Sequence, residues 1–176
     1  MYNGEKFKNL VHYVCSKCPD PRSLGATKLN KILWYSELQA YLKLEKPISG
    51  ARFVKRQFGP VPVAIVPVLE ELQREGALVV RDVEFFGKPK KEYISLREPE
   101  LADFTAEEIS IVDEITEVIC ERHTAASISE RTHDDIWRMA EIGEDIPLPT
   151  VFAVKGEVTE RDIAWADSKI AELTSD

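Results

Sequence analysis

No apolar run in the 176 residues approaches the roughly 20 that a bilayer crossing needs, so an integral membrane protein is not expected. There are only three cysteines, Cys15, Cys18 and Cys120. An odd and sparse set of this kind does not describe a secreted disulfide framework. The opening residues MYNGEKFKNLVHYVCSK carry Glu5, Lys6 and Lys8 and no long apolar core, unlike a signal peptide. Together these point to a reduced, cytoplasmic setting. The sequence also lacks G-x-x-x-x-G-K-[ST], G-x-S-x-G and H-E-x-x-H, which removes the easily read enzyme classes. It shows no internal repeat, no low-complexity tract and no linker between separate domains. Basic charge is in deficit: 23 Lys and Arg stand against 31 Asp and Glu, a net charge of -8. Such a surface repels phosphate backbones, disfavours general nucleic-acid binding and suits a basic protein partner.

What is present is an ordinary globular composition, 44% hydrophobic and 31% charged. A single domain over 1–176 is expected, with a core at about 5–140 and a C-terminal helical extension at about 157–174. The segment organising the chain is Lys28 to Leu44, KLNKILWYSELQAYLKL. On a helical wheel, Leu29, Ile32, Leu33 and Ala40 share one arc, while Trp34, Leu38, Tyr41 and Leu42 share nearly the opposite arc. A helix apolar on two sides has to be covered on two sides. Thr27 is a candidate N-cap, and Ser36 is expected to return its hydroxyl to a carbonyl one turn back.

Around this strut the pattern is mainly helical. A first helix runs from about Glu5 to Cys18, with Phe7, Leu10, Val11, Val14 and Cys15 inward, and the run Cys18-Pro19-Asp20-Pro21 ends it. Ala51 to Phe58 reads as extended and leads into the bend Phe58-Gly59-Pro60-Val61. A third helix opens at Pro62 or Pro67, kinked in the first case, with Ile65, Val66, Leu69 and Leu72 inward. Residues 78–96 read as a β-hairpin with a loop of three to five residues around Gly87-Lys88-Pro89. A helix followed by a hairpin is the pattern of a winged helix. Thr105 and Glu108 form a capping box before the stripe Ile111, Val112, Ile115, Val118 and Ile119. Ser127 and Glu130 suggest a second box, opening a helix through Thr132, His133 and Trp137. Gly143 to Gly156 reads as a loop, and Thr159 caps a last helix with Ile163, Ala166, Ile170 and Leu173 on one face.

Four groups could carry chemistry. His133 and Trp137 stand at i, i+4 and share a helix face. They could form a structural hub, a partner-contacting patch or a general base. No nucleophile or second acid is fixed beside them by spacing. The Phe58-Gly59-Pro60 bend is either a hinge or an exposed contact. Cys15, Cys18, Cys120 and His123 would supply a Cys₃His zinc set if the first helix and the capped helix met end to end, although Cys15 also completes an apolar face. Finally, Arg52, Lys55 and Arg56, with Lys88, Lys90 and Lys91, could meet phosphates in a winged-helix regulator, or simply be solvated. Phe152 and Trp165 are aromatics that either pack inward or anchor a partner.

Three of these stretches, taken in order, resemble one family. Lys28-Leu29-Asn30-Lys31-Ile32-Leu33-Trp34-Tyr35 is similar to the KLxKLLYYA helix of the SocA-like antitoxin domain, also called the Panacea domain. Phe58-Gly59-Pro60-Val61 is similar to its YGPV turn, with phenylalanine for tyrosine. Ser129-Glu130-Arg131-Thr132-His133 with Trp137 is similar to its LSxxTHxxxxW element. The resemblance covers about residues 5–140; Pro62, Pro67 and the long hairpin depart from it. It implies the antitoxin half of a type II toxin–antitoxin pair, which neutralises a cognate toxin, encoded by a neighbouring gene, through direct protein–protein binding, in some relatives by handing it to a cellular protease. On this basis no cofactor and no enzymatic activity are expected, and Phe58, Gly59, Pro60, His133 and Trp137 are the partner-binding candidates. The alternatives are a winged-helix DNA regulator and a zinc-dependent hydrolase using the Cys/His set.

Overall fold

The computed structural model describes residues 1–153 apart from Pro19 and Asp134, with backbone alone at 135, 136 and 151–153. The expected C-terminal helix capped by Thr159, with Ile163, Ala166, Ile170 and Leu173, lies outside the described residues, as do Trp165 and the side chain of Phe152. The architecture is mainly α: among the described residues there are six α-helices and two small two-stranded antiparallel sheets.

Helix α1 (Gly4–Lys17) starts where the Asn3 side chain accepts the amide of Lys6. It buries Phe7, Leu10, Val11, Val14 and Cys15 as the periodicity requires. The proline-rich punctuation after it both stops α1 and starts α2 (Pro21–Leu44), because Asp20 accepts the amide of Arg22 and Pro21 brings a pre-set φ to the first helical position. The strut therefore begins earlier than Lys28. It is interrupted at Gly25, whose φ of 64° and ψ of 164° leave the helical region. Thr27 lies inside the helix and is not its cap.

The two-sided cover of α2 is real. Leu29, Ile32, Leu33 and Ala40 are buried on one arc, and Trp34 and Leu38 on the other. The neighbours are α1, α4, α5 and strands of both sheets. Leu42, near the C-terminal end, is exposed. Ser36 is fully buried, and its hydroxyl has no hydrogen-bond partner among the described residues, contrary to the expected back-bond. The wheel also missed charge: Lys28, Lys31 and Glu37 are all buried on this helix. Glu37 organises the chain just beyond α2, accepting the Ser49 amide at 3.0 Å, the Ser49 hydroxyl and the Gly50 amide at 3.4 Å. Burial raises its carboxyl above the ordinary range despite these bonds.

The extended piece is half of an unforeseen hairpin. Strand β1 (Phe53–Arg56) pairs with β2 (Gly59–Pro62), leaving Gln57 and Phe58 as the turn. The Phe58-Gly59-Pro60-Val61 stretch is thus a hairpin tip and strand rather than a hinge. Helix α3 (Ile65–Arg74) runs without a break. Pro67 is its third residue, where no intrahelical N–H is needed, so no kink forms. Its buried face is Ile65, Val68 and Leu72, and Val66 points to solvent.

Strands β3 (Leu78–Phe85) and β4 (Lys88–Ser95) form the expected hairpin, but its loop is two residues, Phe86 and Gly87. Both have positive φ, 51° and 72°, the geometry that matches the twist of the flanking strands. Lys88 and Pro89 belong to β4. Helix α4 (Ala106–Arg122) has the complete Thr105–Glu108 box, and Glu108 also holds Lys6 at 2.7 Å. The second box is Thr124 with Ser127, not Ser127 with Glu130, and it opens α5 (Ala125–Arg131). That helix stops at Thr132, and α6 (Asp135–Met139) follows as a separate turn. The 143–146 stretch lies along β1, bonded through Lys55 N to Glu144 O, Gly143 N to Lys55 O and Ile146 N to Phe53 O. A 3₁₀ helix, Leu148–Ala153, closes the described part.

Candidate partner-binding site

The three motif stretches, distant in sequence, meet in one place. Helix α2 carries Lys31 to the turn end of the β1–β2 hairpin, where Gly59, the first residue of β2, has φ of 108°. A Cβ at Gly59 would collide with Lys31 Nζ and come within 2.5 Å of Thr132 Oγ1. Glycine is therefore required twice, by its backbone angle and by the close approach of two side chains. From the other side α5 closes the junction. Ser129 Oγ donates to the Phe58 carbonyl at 3.0 Å, and Thr132 Oγ1 donates to the Ser129 carbonyl at 2.8 Å.

The indole completes the arrangement. Trp137 Nε1 donates to the Arg56 carbonyl at 3.2 Å, and Lys55 Nζ lies 4.0 Å from the centre of the Trp137 ring. Lys55 also donates to the Ala140 carbonyl at 2.9 Å. His133 stacks on Trp137 at 3.7 Å with a 13° interplanar angle. They stack although they are not on one continuous helix as the i, i+4 spacing suggested, because the chain breaks between α5 and α6. The electrostatics are cationic. Lys31 is 1% exposed and makes no hydrogen bond or ion pair among the described residues; burial draws its amine down to about 7. His133 is pushed below the usual imidazole value by burial and then by the charges of Lys31, Arg138 and Lys55. Its Nε2 is shielded and has no hydrogen-bond partner among the described residues.

The five predicted contact residues divide. Gly59 and Pro60 are buried and position the junction. Phe58 projects from the hairpin tip at 57% exposure, and His133 and Trp137 are half-buried. Two exposed residues missed by sequence reasoning, Met139 and Ile142, lie on the segment bonded to the same hairpin. Their signal was faint: an apolar residue in a polar loop is common.

The Cys/His set separates. Cys18 and Cys120 do meet, Sγ to Sγ 3.0 Å, because α1 and α4 end side by side. Cys15 is buried in the core, where burial pushes its thiol up, and His123 Nδ1 turns to Ser127 Oγ at 3.2 Å. No group of three or more His, Cys, Asp or Glu able to hold a metal occurs among the described residues. The basic residues also separate. Arg52 pairs with Asp145 and Lys55 is buried beneath Trp137. On the other hairpin Lys91 pairs with Asp82 and Lys90 donates to the Arg22 carbonyl. Lys88, Lys90 and Lys91 line a cleft of about 580 Å³ with Arg22, Lys28 and His123.

The family model described as antitoxin SocA-like, Panacea domain, matches residues 29–138. The chain belongs to this family. The matched span runs from the start of the buried arc of α2 into α6, ending at Arg138, so it encloses the whole Lys31–Gly59–Thr132–Trp137 junction of this Panacea domain. No curated protein and no solved structure matches the chain. No helix among the described residues is long and apolar enough to cross a membrane.

Proposed function

We propose that this Panacea domain is the antitoxin of a type II toxin–antitoxin pair, acting in the cytoplasm without catalysis by binding a cognate toxin encoded beside it. The observation that carries this is the family match, which spans the junction described above. The geometry supports an occupying rather than a catalytic role. The family motifs are spent on buried packing and on backbone hydrogen bonds, and the rim exposes three large apolar side chains, Phe58, Met139 and Ile142, among the polar Arg56, Gln57, Arg138 and Glu141. Aromatic and methionine side chains around half-buried indole are the composition of interface cores. Phe58 is the anchor, with His133 and Trp137 as its rim, while Gly59 and Pro60 act only by positioning.

A sequence-specific DNA regulator would need its basic residues gathered on one face. Here they divide between two hairpins, and several are paired with acids or carbonyls. Co-expression with each adjacent open reading frame tests the proposal. One neighbour is expected to arrest growth alone, to be tolerated with this chain, and to co-purify with it. If no neighbour is toxic alone, or the toxic one fails to bind, the proposal fails.

A further inference from the structure

Outside the junction, Cys18 and Cys120 bring two thiols together. Cys18 caps α1 in an extended conformation, and Cys120 lies in the last turn of α4. Their sulfurs are 3.0 Å apart across 102 residues of chain. A disulfide bond is about 2.05 Å long, so closure requires an approach of only about 1 Å. The surroundings differ for the two thiols. Cys18 Sγ is 3.0 Å from Ser23 Oγ and 3.5 Å from the Asp20 carbonyl. Lys28 Nζ, donating to the Cys120 carbonyl at 3.1 Å, brings a cation beside the pair. The hydrogen bond from Cys120, aided by Ser23 and Lys28, lowers the Cys18 thiol, while the same bond and burial raise that of Cys120. The asymmetry favours the thiolate at Cys18 and the proton at Cys120. Cys18 is buried and Cys120 half-buried, and three of their neighbours, Ser23, Lys28 and His123, line the cationic cleft beside the pair.

We propose that Cys18 and Cys120 are a hydroperoxide-reactive thiol pair that closes reversibly to a disulfide. The Cys18 thiolate attacks the terminal peroxide oxygen and the O–O bond breaks. Cys18 becomes a sulfenic acid, and the leaving alkoxide takes a proton to become an alcohol, or water from hydrogen peroxide. Cys120 then loses its proton and attacks the sulfenic sulfur. The S–S bond forms, and hydroxide leaves and is protonated to water. Two thiols are oxidised by two electrons, and one hydroperoxide is reduced. The product bond would tie the end of α1 to the end of α4 across the start of α2.

The test uses the free, fully reduced chain, so it is independent of whether a toxin is bound. After treatment with a small excess of hydrogen peroxide at pH 7, titratable thiols should fall from three to one. Non-reducing peptide mapping should show Cys18 joined to Cys120, and dithiothreitol should restore all three thiols. The Cys120→Ser variant should stop at a sulfenic acid that a cyclic dione traps on Cys18. The Cys18→Ser variant should react at least tenfold more slowly. Three free thiols after treatment, or a bond involving Cys15, overturns the proposal. A pair that closes with diamide but not with peroxide also overturns it, since proximity would then exist without peroxide reactivity. Circular dichroism of both variants establishes that they are folded before rates are compared.

Discussion

Lys31 Nζ packs directly against the backbone of Gly59, in the space a side chain at that position would occupy. The contact joins the central helix to the first hairpin, and Thr132 Oγ1 seals it from the third motif. Replacing Gly59 with alanine forces a Cβ into both atoms at a φ of 108°. Strained backbone and overpacking together should cost at least about 3 kcal/mol. Gly76 is the control: it also has positive φ, 67°, but nothing lies within 4 Å of its notional Cβ. Gly76→Ala should cost only about 1 kcal/mol. Urea denaturation with unchanged m separates the two; equal losses would refute the close-approach account.

Lys31 itself is a liability in the free protein. Its folded amine titrates near 7, against 10.5 ordinarily, because burial disfavours the charge. Between those values the unfolded chain binds the proton more tightly than the folded one, so this group makes stability rise from pH 7 to pH 10.5 and lowers it as pH falls through that window. Lys31→Met removes the burdened charge and keeps much of the volume. The variant should be more stable than the parent by about 2–4 kcal/mol at pH 7, with the difference vanishing near pH 10. Comparing the two proteins across pH cancels the other titrating groups, including Lys28 and Cys18, whose values are also lowered. A pH-independent difference would rule out a buried amine.

Lys31 also shows what the sequence could and could not disclose. Periodicity located α1, the double cover of α2 and the capped stripe of α4, because apolar burial repeats every 3.6 residues whatever surrounds it. It gave no sign that Lys31 and Glu37 are buried, since a wheel does not reveal what packs against a polar position. The β1–β2 hairpin was hidden by its prolines, which read as a bend, and by Gln57-Phe58, which is not a familiar turn dipeptide. The break before α6 was hidden because Thr132 and His133 continue the helical spacing. Of the candidate site, the residue types were legible and their division was not. Gly59 is packing and Phe58 beside it is surface, a distinction set by strand pairing and not by the tetrapeptide.

Helix α4 offers a graded test of local signals. Thr105→Ala removes the hydroxyl that accepts the Glu108 amide and should cost about 1 kcal/mol. Glu108→Ala should cost about 2–3 kcal/mol, because it removes the return bond to the Thr105 amide and strands Lys6, whose side chain is 13% exposed. Thermal melts give the order; a larger loss at Thr105 would contradict the long-range pairing of Glu108 with α1.

Trp137 divides bonding from shape. Trp137→Phe keeps an aromatic face for His133 and Lys55 but loses the donor to the Arg56 carbonyl. A single hydrogen bond of this kind contributes about 1 kcal/mol, so the variant should be modestly destabilised with its His133 stacking retained. Trp137→Ala should lose about 3 kcal/mol through the missing ring. Equal effects of the two changes would mean that the indole N–H, not the ring, holds α6 to the hairpin.

Phe58 provides the opposite case, a residue at the same junction whose loss should spare the fold. Its backbone carbonyl is held by Ser129, but its ring is 57% exposed, so Phe58→Ala keeps the hydrogen bond and gives up little buried area. Stability should change by less than about 0.5 kcal/mol. If Phe58 anchors the toxin, the same change should weaken binding by about 2 kcal/mol, roughly thirtyfold, as removal of a central aromatic does in other interfaces. Met139→Ala, on the neighbouring segment and 82% exposed, should weaken it less and also leave the melt unchanged. Calorimetric titration of the co-purified toxin against the three proteins reads affinity, and thermal melts of the same samples read stability. Unaltered affinity in Phe58→Ala would move the docking surface away from this hairpin, while Gly59→Ala would still be unstable.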